Sequence, residues 1–467
     1  MASLLATACS IFLFCISFAE AKYKIGVNYG QLANNLPSPA HAAALIASLH
    51  IGHVKLYDAN PAILQALAGT QITVAVMVTN AEVPAIAASQ EVADLWVAHN
   101  VSAFFPATRI RTILVGNEIL SDINQKETWT QIVPAMHKLR QALIKQKLRH
   151  KIKISTPLAL DMLERSDVFP PSNATFRENV RESVMRPLLR FLDKTRAALF
   201  VDLYPYLVWE YNAANVPLGL ALFEGAEYED GGSGLRYGSL LEVQLDAVVV
   251  AMARLGFDEV KVVVSETGWP TAQGPDERGA NIHNAALYNR RLVKRMLAVP
   301  PLGTPRRPGV YMPTYIFALF NENEKPGPTT ERNWGLLYPN GTRVYDVDLT
   351  GQRAESAYPA LQAAPREAPV GSQKFWCVAN ASASSESLEA GLEYACAQDP
   401  SICAPLQQAA GMPCFQPNTT LSHASFAFNA YYVLFKPLGA SCVFGGSAHL
   451  ATTDPSYGSC KYTPFVF

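Results

Sequence analysis

Two glutamates close β-branched runs in this chain. Val262–Pro270 reads VVVSETGWP, and the run stops at Glu266, ahead of Gly268 and a Trp269–Pro270 pair. Ile110–Glu118 reads IRTILVGNE and stops at Asn117 and Glu118. An unbroken apolar, β-branched run is the pattern of a strand buried on both faces, so each carboxyl is delivered to a strand tip. Two carboxyls in one site can divide acid and base work, one held neutral to donate a proton and the other ionised to attack or to activate water. A lone strand-end glutamate is as readily a salt-bridge partner. The chemistry therefore depends on elements that bring both tips to one place.

Further runs supply those elements. Lys24–Gly30 (KIGVNYG), His53–Asp58 (HVKLYD), Ile72–Val78 (ITVAVMV) and Lys151–Thr156 (KIKIST) have the same apolar character. So do Ala198–Tyr206 (ALFVDLYPY) and Thr314–Glu322 (TYIFALFNE). With the two glutamate runs these make eight strand candidates, most of them separated by helical patterns of about 10–20 residues, a spacing that predicts βαβ units. Eight such units over about 300 residues predict an α/β fold, a closed (β/α)₈ TIM barrel. An open doubly wound sheet is the alternative, but no Gly-rich phosphate turn follows the first run. Barrel enzymes place their chemistry at the C-terminal ends of the strands. Asn28, Tyr29, Tyr57, Asp58, Asn117, Glu118, Tyr204, Tyr206, Glu266, Asn321 and Glu322 then surround one mouth. Two carboxylates among amides and aromatic faces suit a sugar: the rings take its C–H faces and the polar groups its hydroxyls. Glycoside hydrolysis uses such a pair across the scissile bond, and Asn117 is placed to bond a 2-hydroxyl.

KIGVNYG, LYDANP, ILVGNE, DLYPY, VVVSETGWP, YIFALFNENEKPGP and ERNWGL occur in that order over residues 23–347. In this the chain resembles plant glycoside hydrolase family 17, the β-1,3-glucanases. The resemblance implies a (β/α)₈ barrel and a retaining mechanism, with Glu266 as nucleophile and Glu118 as acid/base. Retention requires carboxyls about 5–5.5 Å apart. The resemblance also gives supporting roles to Tyr204, Glu322, Lys325 and Glu331, and the strand ends themselves add Tyr29 and Trp269 as supporting or substrate-binding residues.

After Asp348 the pattern breaks into TGQRAESAYPALQAAPREAPVGSQ, whose Ala, Pro and small polar residues read as a linker over 349–374. Six of the eight cysteines (Cys377, Cys396, Cys403, Cys414, Cys442 and Cys460) follow within 375–467. An even count in a short segment reads as a small disulfide-stapled domain with 15 possible pairings. FWCVAN, PNTTLSHASFAFNAYY, CVFGGSA and DPSYGSCKY resemble the X8 carbohydrate-binding module (carbohydrate-binding family 43). That resemblance implies the bridges 377–442, 396–403 and 414–460, and binding of β-1,3-glucan. Trp376, Phe426, Phe428, Tyr431 and Tyr432 are either a stacking platform or the core of a small domain, and core is the commoner fate of such aromatics.

The N-terminus carries an apolar run from Leu4 to Phe18 and then Ala19-Glu20-Ala21. This reads as a secretory leader over 1–21, with the barrel unit occupying 22–348. The run is shorter than the ~20 residues of a membrane span. Only KYTPFVF follows Cys460, too little for the hydrophobic tail of a lipid anchor. Sequons at Asn100, Asn173, Asn340, Asn380 and Asn418 fit secretion to the cell wall or apoplast. A hydrophobic content of 49% with 16% charged residues excludes a disordered chain. A net charge of −1 with no basic block leaves nucleic-acid binding without support. His53, His137, His283 and His423 do not pair at ligand spacing, so no metal or cofactor is expected. Ser265 sits in SETG, not a GxSxG elbow. Gly231, Gly232 and Gly234 read as a flexible rim of the cleft. The expectation is a secreted, monomeric glucan endo-1,3-β-D-glucosidase acting on wall glucan or callose. A 1,3;1,4-β-glucan hydrolase, a glucan transglycosylase and a non-catalytic wall-glucan-binding protein are the alternatives.

Overall fold

The computed structural model describes residues 24–122, 125–165, 168–408 and 411–466. The leader expected at 1–21 lies outside the described residues. All eight predicted runs carry strand: Ile25–Tyr29, His53–Leu56, Thr73–Val78, Arg109–Val115, a fifth strand split into Lys153–Ser155 and Pro157–Ala159, then Leu199–Asp202, Val262–Thr267 and Thr314–Ile316. Every pairing among them is parallel. The first strand pairs with both the second and the last. The halves of the split strand pair with the fourth strand on one side and the sixth on the other. The sheet therefore closes on itself at Thr156, as a TIM barrel must.

Local sequence explains the intervening helices. Ser38 and Asn60 accept backbone N–H groups at the starts of Pro39–Ser48 and Pro61–Ala66, with proline in the first turn. Ser239 and Asn281 cap the longer Leu240–Arg254 and Ile282–Met296 in the same way. The apolar centre of the barrel is filled by Ala75, Met77, Leu114, Phe200, Val263 and Tyr315. Strand alternation then carries Asp202 and Ser265, two residues beyond Phe200 and Val263, onto the same inner face, and Lys55 joins them from the second strand; all three are buried.

The chain after the barrel is irregular but pinned. Arg291 pairs with Glu355, the His283 ring bonds the Gln362 carbonyl at 2.8 Å, and Arg290 and Arg353 lie over the Tyr358 ring at 3.9 and 4.4 Å. The C-terminal domain then sets Lys374–Ala379 antiparallel between Ala448–Ala451 and Phe465–Val466. The helix Thr420–Phe435 packs on that sheet, and the helix Ser385–Gln398 packs against that helix. The bridges are Cys377–Cys442, Cys396–Cys403 and Cys414–Cys460. They agree with the pairing implied by the X8 resemblance. No helix among the described residues is long and apolar enough to cross a membrane.

Candidate active site

Glu266 is the centre of the mouth. Alternation alone would not serve it, because Val263 and Ser265 face inward and Glu266 should point away. A register shift against both neighbouring strands, between Val264 and Glu266 on one side and Val264 and Thr267 on the other, resolves this. Such a bulge inserts an extra residue and re-aims the next side chain. Ser265 and Glu266 both turn inward as a result: the Ser265 hydroxyl donates to Asp202 at 2.5 Å. Glu266 itself receives three donors. The Tyr57 hydroxyl lies 2.6 Å from Oε1, the Tyr204 hydroxyl 2.5 Å from Oε2, and the Lys55 ammonium is ion-paired with Oε1.

Lys55 is 0% exposed and also lies 3.9 Å from Asp202 and 3.2 Å from the Asn117 side-chain oxygen. Burial alone would lower its pKa, but Asp202 and Glu266 together hold it above the usual value. Burial would likewise raise Glu266. The Lys55 charge and the bonds from Lys55, Tyr204 and Tyr57 overcome that and hold its carboxyl below the ordinary range. Asp202 moves the other way, pushed to about 8 by burial and by the Glu266 charge.

Glu118 stands on the turn after the fourth strand, at φ +45° in the left-handed region that a non-glycine residue rarely adopts. Asn80 holds that turn, accepting the Asn117 amide at 2.7 Å and donating to the Asn117 carbonyl at 3.0 Å. Gly116, at φ +72°, gives Asn80 room: a Cβ there would come within 2.9 Å of its side-chain oxygen. Burial, then the charges of Asp202 and Glu266, push the Glu118 carboxyl well above the usual carboxylate range. The mouth thus holds two carboxyls whose surroundings drive their pKa values apart. That separation is what a proton donor and an ionised partner require.

On the facing rim, Glu322 is buried, accepts the Leu32 amide at 2.8 Å, and is raised by burial against the opposing charge of Lys325. Gly30 leaves room for that carboxylate, since a Cβ there would meet it at 2.3 Å and push Glu322 off its bond to Leu32. Lys325 pairs with Glu331 at 3.2 Å and lies 4.2 Å above the Phe317 ring. Tyr29 is buried against the edge of Phe320 at the base of the mouth, with burial raising its pKa to about 12.

Two aromatic residues sit elsewhere than sequence order suggested. Trp269 follows Glu266 closely, yet it is wholly buried, donates its indole N–H to the Gly279 carbonyl at 2.8 Å and packs on Tyr206 and Trp209. Its face is not available to a sugar, and it supports the site from beneath. Tyr206 turns into the same cluster, with Trp334 against it. The pair Lys55 and Asp202, together with Asn80, was missed by sequence reasoning. A lone lysine inside the apolar run HVKLYD was the available signal for Lys55. The Gly231–Gly234 segment is the turn of a short hairpin tied to Ser172 through Asp230. Among the sequons, Asn173, Asn340 and Asn418 are exposed, whereas Asn100 and Asn380 are half-buried. In the C-terminal domain Trp376, Phe428 and Tyr432 are core, and Phe426 and Tyr431 partly so. No group of three or more metal-type ligands occurs among the described residues.

A closed parallel barrel with two oppositely tuned carboxyls at its C-terminal mouth defines a barrel glycoside hydrolase. The chain belongs to glycosyl hydrolases family 17, whose profile matches residues 25–349, and an X8 domain matches 375–449. It is 45% identical over 440 residues to a probable glucan endo-1,3-beta-glucosidase A6 of Arabidopsis thaliana, covering 94% of this chain and 91% of that one. It is 35% identical to a glucan endo-1,3-beta-D-glucosidase of Olea europaea, covering 97% and 96%. Among solved structures, CJP38, a beta-1,3-glucanase and allergen of Cryptomeria japonica pollen, matches with a TM-score of 0.66 and 37% identity, over 70% of this chain and 99% of that one. A structure from a study of two plant beta-glucan endohydrolases with distinct substrate specificities matches at 0.63 and 37%, over 69% and 99%.

Proposed function

We propose that this protein is a secreted, retaining glucan endo-1,3-β-D-glucosidase that hydrolyses internal β-1,3-glucosidic bonds of wall glucan such as callose. The observation that carries the reading is one mouth in which Lys55, Tyr57 and Tyr204 all donate to the Glu266 carboxylate and Glu118 lies close enough to feel its charge. Glu118, kept neutral, protonates the departing glycosidic oxygen while the Glu266 carboxylate attacks the anomeric carbon. Glu118, now ionised, takes a proton from water, which releases the glycosyl-enzyme with net retention. Lys55, Tyr57 and Tyr204 keep Glu266 ionised and aimed. Asn117 bonds the 2-hydroxyl, and Glu322, Lys325 and Glu331 hold sugar hydroxyls on the facing rim. No cofactor enters this scheme.

The unit so described is a leader over 1–21, a hydrolase barrel over 22–348, a connector over 349–374 and a glucan-binding module over 375–467, acting as a monomer in the wall or apoplast. In the module, Tyr394 is 49% exposed and rests on Tyr431 at 5.6 Å and Phe444 at 6.3 Å. This is the surface best suited to stack on a sugar ring, and substitution Tyr394→Ala should release the protein from insoluble β-1,3-glucan. The similarity to endohydrolases of distinct specificities makes linkage the point to test. Products from laminarin and from mixed-linkage glucan should be compared, with Glu266→Ala as control. Short 1,3-linked oligosaccharides from laminarin, with the parental anomeric configuration and absent from the variant, are expected. Products only from the mixed-linkage polymer would move the assignment to a 1,3;1,4-β-glucanase.

A further inference from the structure

The connector and module make contacts that a flexible tether would not. Lys436, just beyond the helix Thr420–Phe435, is wholly buried, and its ammonium lies 2.9 Å from the carboxylate of Asp276 on the barrel. One turn earlier, the Tyr432 hydroxyl donates to the same Asp276 oxygen at 2.8 Å. Residues four apart share one helix face, so that face is seated on a single barrel carboxylate. The connector is fastened beside it. The Glu367 carboxylate accepts the Gly279 amide at 3.1 Å, and the Arg278 guanidinium donates to the Ala368 carbonyl at 3.1 Å. A buried ion pair adds little net affinity, and its best-attested use is to fix register.

Asp276 belongs to the loop that leaves the strand bearing Glu266. Its neighbour Glu277 accepts the Gly274 amide at 2.6 Å and both the hydroxyl and the amide of Thr330. Thr330 precedes Glu331, which holds Lys325 on the rim of the mouth. The module is thus joined, through two adjacent acidic residues, to both loops on this side of the cleft. Buried Glu210 lies in the same cluster; burial and Glu277 raise its carboxyl to about 8, and the Lys436 charge acts against that shift.

We propose that the C-terminal module is docked as part of the catalytic unit, and that Lys436 and Tyr432 are positioning residues which hold the cleft loops 274–281 and 329–333 through Asp276. The consequence for turnover rests on the glucanase reading above; the docking itself does not.

The test uses the full-length protein and Lys436→Met, with Asp276→Asn as a second variant that keeps the side-chain shape should the first fold poorly. Three readouts are taken: hydrogen–deuterium exchange across both loops, kcat and KM on a short soluble β-1,3-oligosaccharide held by the cleft alone, and retention on insoluble β-1,3-glucan. Faster exchange in both loops, and kcat/KM lowered about threefold through KM, are expected, with retention unchanged. A tether predicts no change on the short substrate. Parental exchange in both variants overturns the docking, and faster exchange with parental kinetics overturns the positioning role. If the parent cleaves no β-1,3-glucan, the glucanase reading fails, while the exchange result still decides the docking.

Discussion

In the barrel mouth a wholly buried lysine, a glutamate held below the ordinary carboxylate range and an aspartate raised to about 8 sit within one ion-paired cluster. In the C-terminal module the interior is mostly aromatic and cystine, gathered among the described residues in three small clusters, two of them around Cys377–Cys442 and Cys414–Cys460. The difference follows from size. A barrel of about 300 residues buries enough apolar surface to carry several desolvated charges, while a domain of about 90 residues needs covalent staples to fold at all. The barrel spends its surplus stability on tuned carboxyls. The module has little surplus: buried Asn429 is neutral and bonded within the module, while the buried charge, Lys436, finds its partner on the barrel instead.

The sharpest way to break this comparison is Glu118→Gln. If Glu118 is the proton donor proposed above, its removal should lower kcat/KM by about 10²–10⁴-fold. Its effect on stability should have the opposite sign. A carboxyl raised in the folded state opposes folding increasingly as pH climbs from its unfolded toward its folded value, and the amide removes that slope. Thermal unfolding at pH 5 and pH 8 should therefore show the variant at least as stable as the parent, with the greater gain at pH 8. Lower stability at pH 8 would mean that Glu118 is a structural partner.

Next in size is the module. The Cys377–Cys442 bridge closes a separation of 65 residues, so its replacement by serines should cost about 4 kcal/mol by the chain-entropy relation. Calorimetry should show the loss in the module's transition. Turnover of a short oligosaccharide should fall far less than in any mouth variant. Loss of that turnover would make the module's fold a condition of catalysis.

Lys55→Met probes the cluster that sequence did not reveal. Glu266 is held down by the Lys55 charge, so without it the carboxyl rises and stays protonated to higher pH. The acid limb of the rate profile should move toward neutral, and kcat should fall about 10²-fold, the scale of one lost electrostatic partner. An unmoved acid limb would show that the tyrosines alone set the pKa of Glu266.

How much of this was legible divides along the same line. Strand spans and the glutamates Glu118 and Glu266 were readable because β-branched runs and strand-end carboxyls are local patterns. Of the partners of Glu266, Tyr57 and Tyr204 were readable as neighbours at the same mouth, but Lys55 was not, since it lies inside an apolar run and meets Glu266 only after the barrel closes. The bulge at Ser265 has no local signature either, yet it decides where Glu266 points. Sequence left Trp269 as either supporting or substrate-binding, and its burial against Tyr206 and Trp209 takes its face away from a sugar. Composition made 349–374 a linker, and only the fold shows it bound to the helix Ile282–Met296.

The smallest effect worth measuring is Tyr57→Phe. The hydroxyl donates 2.6 Å to the same Glu266 oxygen that Lys55 holds. A hydrogen bond to a charged group contributes about 1.5–3 kcal/mol, but here the ammonium remains, so the lower end applies and turnover should drop about tenfold. The lost bond favoured the ionised form, so the acid limb should again move up, by less than in Lys55→Met. Phenylalanine keeps the ring beneath the Lys55 ammonium, 4.7 Å away in the parent, and stability should hardly change. A shift as large as that of Lys55→Met would mean that Tyr57 positions the lysine. No shift at all would leave Tyr204 and Lys55 as the groups that set the charge of Glu266.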